Sequence, residues 1–313
     1  MARELIQTRV ASYSKTFKAM FLKSYWDETP ELDNLVTFVT YTGSESELQV
    51  PGAPPYMEEW LSELQHQRVS ATPYTIKDRR WGKALDIPVS AFEDDNLGLY
   101  PASIQTFGQN ARNAPGDLVC ELMRDGGSTT CYDGQYFFDT DHSEGDSGTL
   151  NNIITGTVDT GYTLSTFKND WMSAWDRMQT WKNDRGKAMR GISPDTIVVP
   201  SGLASLAIEF AGAMMLSSTT NVWVPKIRNV ICNPDLTDVN DWYAFCTTKP
   251  IKPFIVAKHK NYPVPKISAR ISTDSDVVFE EDVYSWRAKS RHNAGYGPWQ
   301  LGIKVSNSGS YTH

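Results

Sequence analysis

The sequence predicts an α+β fold, and three observations predict it. Apolar stripes at helical spacing are spread over the earlier part of the chain. Runs that alternate apolar and polar residues gather mainly toward the end, and no internal repeat links the two kinds of segment.

The first stripe, Ile6, Val10, Tyr13, Phe17 and Met20, is spaced for an amphipathic helix that ends near Trp26, ahead of Pro30. Residues Thr29 to Pro55 read as extended, with a β-rich run from Val36 to Tyr41 and a Pro/Gly cluster from Pro51 to Pro55. Tyr56 to Gln67 fits a short helix with Met57, Trp60, Leu61 and Leu64 on one side. From Val69 to Phe92 the texture is β-like: Tyr74 and Ile76 alternate with polar residues, as do Leu85, Ile87 and Val89. Lys77, Asp78, Arg79 and Arg80 separate the two runs, so the reading is a long hairpin with a charged tip. Trp81 beside that tip has too little local surface to bury it and calls for a partner.

A second stripe, Tyr100, Ile104, Phe107, Ala111, Leu118 and Leu122, keeps helical register across Pro115. A proline inside a helix costs roughly 3 kcal/mol and usually bends it, so one bent helix or two abutting ones are expected. Ser128 to Asn152, rich in Gly, Asp, Ser and Thr, reads as loop. A third helical stripe runs Phe167, Trp171, Trp175, Met178, Trp181, a pattern that belongs to a core. Thr196 to Val199 is a short β run, Leu203 to Met215 a helix, and Asn221 to Ala257 alternates strands and turns. Val277 to Phe279, Val283 to His292 and Trp299 to Val305 make a β-rich end. In the middle one Tyr284, Trp286 and Ala288 share one face, and Arg287, Lys289 and Arg291 form a basic comb on the other.

Composition narrows the function. With 30 Lys+Arg against 37 Asp+Glu the net charge is -7, which argues against a dedicated nucleic-acid binder. The longest near-apolar stretch, Leu203 to Leu216, is broken by Glu209 and falls short of the roughly 20 residues a spanning helix needs. Met1 to Val10 carries Arg3, Glu4 and Arg9 and lacks the apolar centre of a secretory signal. Cys120, Cys131, Cys232 and Cys246 form no C-x-x-C pair and read as reduced thiols of a chain folded inside a cell.

Chemical signatures are missing: no G-x-S-x-G, no phosphate-binding G-x-x-x-x-G-K-[ST], no G-x-G-x-x-G and no H-E-x-x-H. No cofactor is therefore expected. Asp139, Asp141 and His142 could together hold a divalent metal. No second cluster completes such a site, and a turn whose carboxylates accept backbone N–H bonds accounts for the same residues. The comb of Arg287, Lys289 and Arg291 suits either an ion-pair ladder with a neighbouring subunit or a phosphate.

The run Cys131-Tyr132-Asp133-Gly134-Gln135-Tyr136-Phe137-Phe138-Asp139-Thr140-Asp141-His142 resembles the signature of the Mu-like phage major head subunit family. Tyr74-Thr75-Ile76-Lys77-Asp78-Arg79, the acidic Phe92-Glu93-Asp94-Asp95 and the helix through Phe17 and Phe21 are similar to that family in the same order. The likeness covers most of residues 1–190 and weakens after about Pro200.

The resemblance implies a major capsid protein of the HK97-like fold that assembles as hexamers and pentamers into an icosahedral shell around double-stranded DNA. It implies an N-terminal arm (1–55), an E-loop hairpin and its approach (56–95), a peripheral P domain with a long spine helix (96–194), an axial A domain (195–262) and return strands of the P domain (263–313). Other copies of the chain, a scaffold or protease, a portal and decoration proteins are the implied partners. The implied setting is the virion, after assembly in a bacterial cytoplasm, with the DNA enclosed but not read and no membrane involved. Candidate subunit-contact residues are Phe17, Lys77, Asp78, Arg79, Arg80, Trp81, Arg287, Lys289 and Arg291, and the stripe from Ile6 to Met20 is expected to dock on the shell and not on its own core. Two other readings stay open: an encapsulin-like nanocompartment shell, and a metal-dependent enzyme built on Asp139, Asp141 and His142.

Overall fold

A computed structural model of the protein describes residues 2–51, 71–94, 96–156, 162–213, 215–216, 219–272 and 275–307. The chain opens with helix α1 (Ala2–Asp27), strands β1 (Val36–Tyr41) and β2 (Glu45–Pro51), then β3 (Ala71–Lys77) and β4 (Arg80–Pro88). A short α2 (Val89–Glu93) leads into the long α3 (Tyr100–Arg124), and an irregular stretch ends at β5 (Ile153–Thr155). Helix α4 (Leu164–Gln179), β6 (Thr196–Pro200) and α5 (Ala204–Gly212) follow, with two-residue strands β7 (Met215–Leu216) and β8 (Thr219–Thr220) after them. The last part holds β9 (Asn229–Asn233), β10 (Trp242–Phe245), β11 (Phe254–His259), β12 (Lys266–Arg270), α6 (Asp276–Glu281), β13 (Val283–Tyr296) and β14 (Gly302–Ser306).

Two sheets carry the architecture. The first has the order β1-β11-β13-β12, with β4 also paired to β13. Strand β13 is long enough to serve several partners: Lys258 to Phe254 pair with His292 to Tyr296, while Lys266 to Arg270 and Gly82 to Asp86 flank residues 285–289 on opposite edges. Its alternation behaves as read from the sequence. Tyr284, Trp286 and Ala288 are buried, and Arg287 between them is exposed.

Helices α1 and α3 cover that inner face. Phe17 stacks on Trp286 at 5.1 Å and 12°, and Phe21 meets Phe107 edge-on at 5.2 Å. The helices approach closely because Gly108 faces α1: a Cβ there would lie 2.6 Å from the Phe21 carbonyl oxygen. The expectation that this helix docks on a neighbour and not on its own core is therefore corrected. Val10, Phe17, Phe21 and Tyr25 are buried in the chain's own core, and Phe17 has no surface left for a subunit contact. An amphipathic stripe states that a helix needs a partner, not which chain supplies it.

The second sheet has the order β5-β14-β10-β6-β9. Every residue of β6 is buried, beneath α4 and α5. Helix α4 presents the predicted stripe, with Phe167, Trp171 and Met178 fully buried and Trp181 just beyond its end. Thr163 and Thr166 form a reciprocal capping box at its start, which fixes where it begins.

The sheets cut across the boundaries drawn on the sequence. Strand β11, within 195–262, belongs to the first sheet, and β14, within 263–313, belongs to the second. The predicted hairpin is also corrected. β3 pairs with β2, from Glu45 opposite Lys77 to Pro51 opposite Ala71, whereas β4 pairs with β13. Val277 to Phe279, read as a strand, lies in α6, whose first turn closes when the amides of Val278 and Phe279 donate to the Ser275 carbonyl. Helix α3 continues through a buried Pro115 as one helix. The short helix expected at Tyr56–Gln67 lies outside the described residues.

Candidate subunit-contact surface

The charged run between β3 and β4 is anchored at Asp78. The Asp78 amide donates to the Ser44 carbonyl at 3.1 Å, and its Oδ2 accepts Arg291 Nε at 2.8 Å while the Tyr41 hydroxyl donates to Oδ1. Burial favours the neutral acid, but the hydrogen bonds from Arg291 and Tyr41 outweigh it and hold Asp78 below the usual carboxylate range. Burial first, and then Asp78, pushes the Tyr41 hydroxyl up. Asn293 Nδ2 donates to the Lys77 carbonyl at 2.9 Å, and the His292 amide donates to the Arg79 carbonyl at 3.2 Å. The run is thus a crossing from one sheet partner to another, not a projecting tip. Asp78 and Arg291 satisfy each other inside the chain.

Trp81 finds much of its cover at home. Its Nε1 donates to the His292 carbonyl at 2.9 Å, and its ring stacks on the His292 imidazole at 5.8 Å and 24°. About a third of it stays exposed (36%). Arg79 sits 4.0 Å from Glu121, with both side chains about half exposed, a pair worth little in water.

The outer face of the first sheet remains open. Cross-strand register puts Arg80 opposite Arg291, Gly82 opposite Lys289 and Ala84 opposite Arg287, with Lys266 and Ser268 flanking Lys289 and Arg287 on the other side. Gly82 and Ala84 clear the middle of the face, leaving a groove of about 260 Å³ between Arg80, Arg287 and Lys289. Lys266 and Lys289 also lie over the Tyr262 ring, at 4.7 and 5.9 Å.

Asp139, Asp141 and His142 do not converge. Asp139 accepts the amides of Thr140 at 2.7 Å and Tyr136 at 3.3 Å, and Asp141 is exposed. His142 is fully buried, stacked on Trp299 at 4.0 Å and 5°, with Nδ1 2.7 Å from Asp133 Oδ2. Asp133 Oδ1 accepts the Cys131 thiol at 2.8 Å. A carboxylate between thiol and imidazole is the wrong order for a nucleophile, because the base must touch the thiol. Burial, and then Asp133, push that thiol well above its ordinary range. Next to this group Glu144 Oε1 accepts Tyr132 Oη at 2.6 Å, Trp299 Nε1 at 2.9 Å and Gln300 Nε2 at 3.0 Å. The signature block is a hydrogen-bonded knot that ties the long loop to the end of the first sheet. Glu144, Trp299 and Gln300 were not singled out in the sequence; a lone glutamate in a Gly/Ser-rich loop was the available signal.

Residues 10–170 and 225–310 match the family described as Mu-like prophage major head subunit gpT. The chain belongs to that family. Over 303 residues it is 24% identical to the Mu-like prophage FluMu major head subunit of Haemophilus influenzae, covering 96% of this chain and 73% of that one. It is also 24% identical to the major capsid protein of Escherichia phage Mu over 254 residues, 81% of this chain and 59% of that one. The fold is similar to that of a chain in the procapsid of bacteriophage JBD30, with a TM-score of 0.62 at 20% identity over 96% of this chain and 75% of the other. This major head subunit therefore has the HK97-like capsid fold, and the family match spans strands of both sheets.

Proposed function

We propose that copies of this head subunit assemble as hexamers and pentamers into the icosahedral shell of a tailed phage particle. The observation that carries this reading is the family match over the first sheet and over every strand of the second except β6. In it, the first sheet with α1 and α3 acts as the P domain, α3 as its spine, and the second sheet with α4 and α5 as the A domain. The hairpin of β2 and β3, not the crossing at Lys77–Arg80, plays the part of the E-loop. The exposed residues Arg79, Arg80, Trp81 and Arg287 and the half-buried Lys289 contact other subunits, while Asp78, Arg291 and the backbone carbonyl of Lys77 brace the sheet from within.

The chain has a structural role and no catalytic one. The divergent Asp139, Asp141 and His142 and the blocked Cys131 favour this. Enclosed double-stranded DNA, a scaffold or protease, a portal and decoration proteins are its partners, and assembly takes place in the bacterial cytoplasm before the subunit becomes part of the virion.

Negative-stain microscopy and sedimentation of the purified chain test the proposal. Closed particles, rings or sheets are expected. A small soluble oligomer carrying stoichiometric metal would overturn it, and particles loaded with a cargo enzyme would redirect it to a nanocompartment.

A further inference from the structure

We propose that the basic outer face of the β4–β13–β12 sheet of one copy docks on the acidic groove where α1, α3 and β9 meet on the next. The inference rests on the self-assembly reading above and deepens it by naming both surfaces.

The face carries Arg80, Lys266, Arg270, Arg287 and Lys289, which the strand register places on one side of three neighbouring strands. Among the described residues none of the five has an ion-pair partner within 4 Å. Lys266 and Lys289 stand directly opposite each other across the strands and repel, and an anionic surface laid on this face offsets that repulsion. Asp86 is the lone carboxylate on the same side of these strands. Strand β4 is an edge strand among the described residues, and its exposed Arg80 and Lys83 discourage indiscriminate strand pairing while leaving it free for a charged partner.

The complement lies elsewhere on the same chain. A groove of about 420 Å³ between the end of α1, the middle of α3 and the end of β9 is lined by Glu28, Glu31, Asp117 and Asp235. No Lys or Arg lines it, and among the described residues no cation lies within 4 Å of those four carboxylates. Burial, and then the like charge of Asp235, raise the Asp117 carboxyl. One chain cannot bring the two surfaces together. The cations project from the outer face of the sheet, whereas Trp286 on its inner face is packed against Phe17 of α1, at whose far end the groove lies.

Two different patches that fit one another make a heterologous contact, the kind that closes into rings and shells. A nucleic-acid phosphate would also suit the basic face, but it leaves the acidic groove unexplained, and a chain of net charge -7 repels a polyanion.

Charge exchange tests the proposal. R287E/K289E reverses the face and D117K/D235K reverses the groove. Each double variant, checked for folding by circular dichroism, should give at least tenfold fewer particles than wild type by sedimentation and negative stain. The quadruple variant should recover to within threefold of wild type. Zero-length carbodiimide cross-linking of wild-type particles should join Lys266 or Lys289 to Glu28, Glu31, Asp117 or Asp235 of another copy, a readout that needs no variant. Folded double variants with no rescue in the quadruple, together with no such cross-link, would overturn the inference and leave the shell reading standing. Loss of assembly with the face reversal alone, reproduced by nuclease, would assign the face to nucleic acid instead. A wild-type chain that forms no oligomer at low salt would overturn both.

Discussion

Phe17 and Trp286 stack ring on ring, 5.1 Å apart and 12° from parallel, and so tie the first helix of the chain to the strand near its end. Both rings are fully buried, so α1 is part of the core. Trp286→Ala should destabilise the monomer by about 3–5 kcal/mol, measured as a shift of the urea midpoint at unchanged slope. Deletion of residues 1–28 should abolish cooperative unfolding, because Phe92, Ile104 and Tyr284 lose their cover along with Trp286. A truncated chain with wild-type near-ultraviolet circular dichroism would place α1 on a neighbouring subunit after all.

Gly108 sets how closely α1 and α3 pack. Alanine is the better helix former by about 1 kcal/mol. Here its Cβ would meet the Phe21 carbonyl at 2.6 Å and Ser24 Cβ at 3.1 Å, so the helices must part. Gly108→Ala should therefore lower stability by about 1–3 kcal/mol despite its propensity gain. A thermal midpoint equal to or above wild type would show that the pair is loosely packed.

The helices were legible because their signal is local. Phe167, Trp171 and Met178 mark a buried face within four turns of one segment, and α4 follows them. Strand partners were not. Tyr74 and Ile76 announce a strand, as do Leu85 and Ile87, but nothing near them says that the first pairs backward with β2 and the second with β13. Asp78 looked like part of a solvated tip because its partner, Arg291, is far along the sequence. The comb of Arg287, Lys289 and Arg291 was legible as a face, while its division into one internal brace and two open cations required the fold. The signature block was recognisable as a pattern, yet its physical purpose depends on Trp299 and Gln300, which no spacing connects to it.

Glu144 holds that block together. Its Oε1 accepts Tyr132, Trp299 and Gln300, so removing the carboxylate strands the Trp299 and Gln300 donors, while the Tyr132 hydroxyl keeps Gln300 Oε1 at 3.1 Å. With about 1–3 kcal/mol for each buried unpaired group, Glu144→Ala should cost about 2–6 kcal/mol and expose residues 130–150 to protease. Glu144→Gln, which keeps an acceptor, should lose less than half as much. Equal losses in the two variants would mean that side-chain volume matters here and the hydrogen bonds do not.

His292 makes the first sheet sensitive to acid. Its ring is buried beneath Trp81, and burial, then Lys258, lower its pKa from 6.5 to about 4, with Asp78 the opposing influence. The unfolded chain thus takes up a proton near pH 6.5 that the folded chain refuses until about pH 4. Stability is full above pH 6.5 and falls as pH drops through that window, by up to about 3 kcal/mol for this group. Asp78 acts lower down: its carboxyl is depressed, so its contribution is intact above about pH 4 and fades only as pH falls further. The two effects are therefore separable by pH. His292→Gln should flatten the stability profile between pH 6.5 and 4 while leaving the loss below pH 4, and Asp78→Asn should do the reverse. Urea midpoints at half-unit steps of pH, taken on the monomer so that assembly does not contribute, measure both. An unchanged slope between pH 6.5 and 4 in His292→Gln would mean that His292 is protonated in the folded chain and that its contact with Trp81 is a cation on an aromatic face.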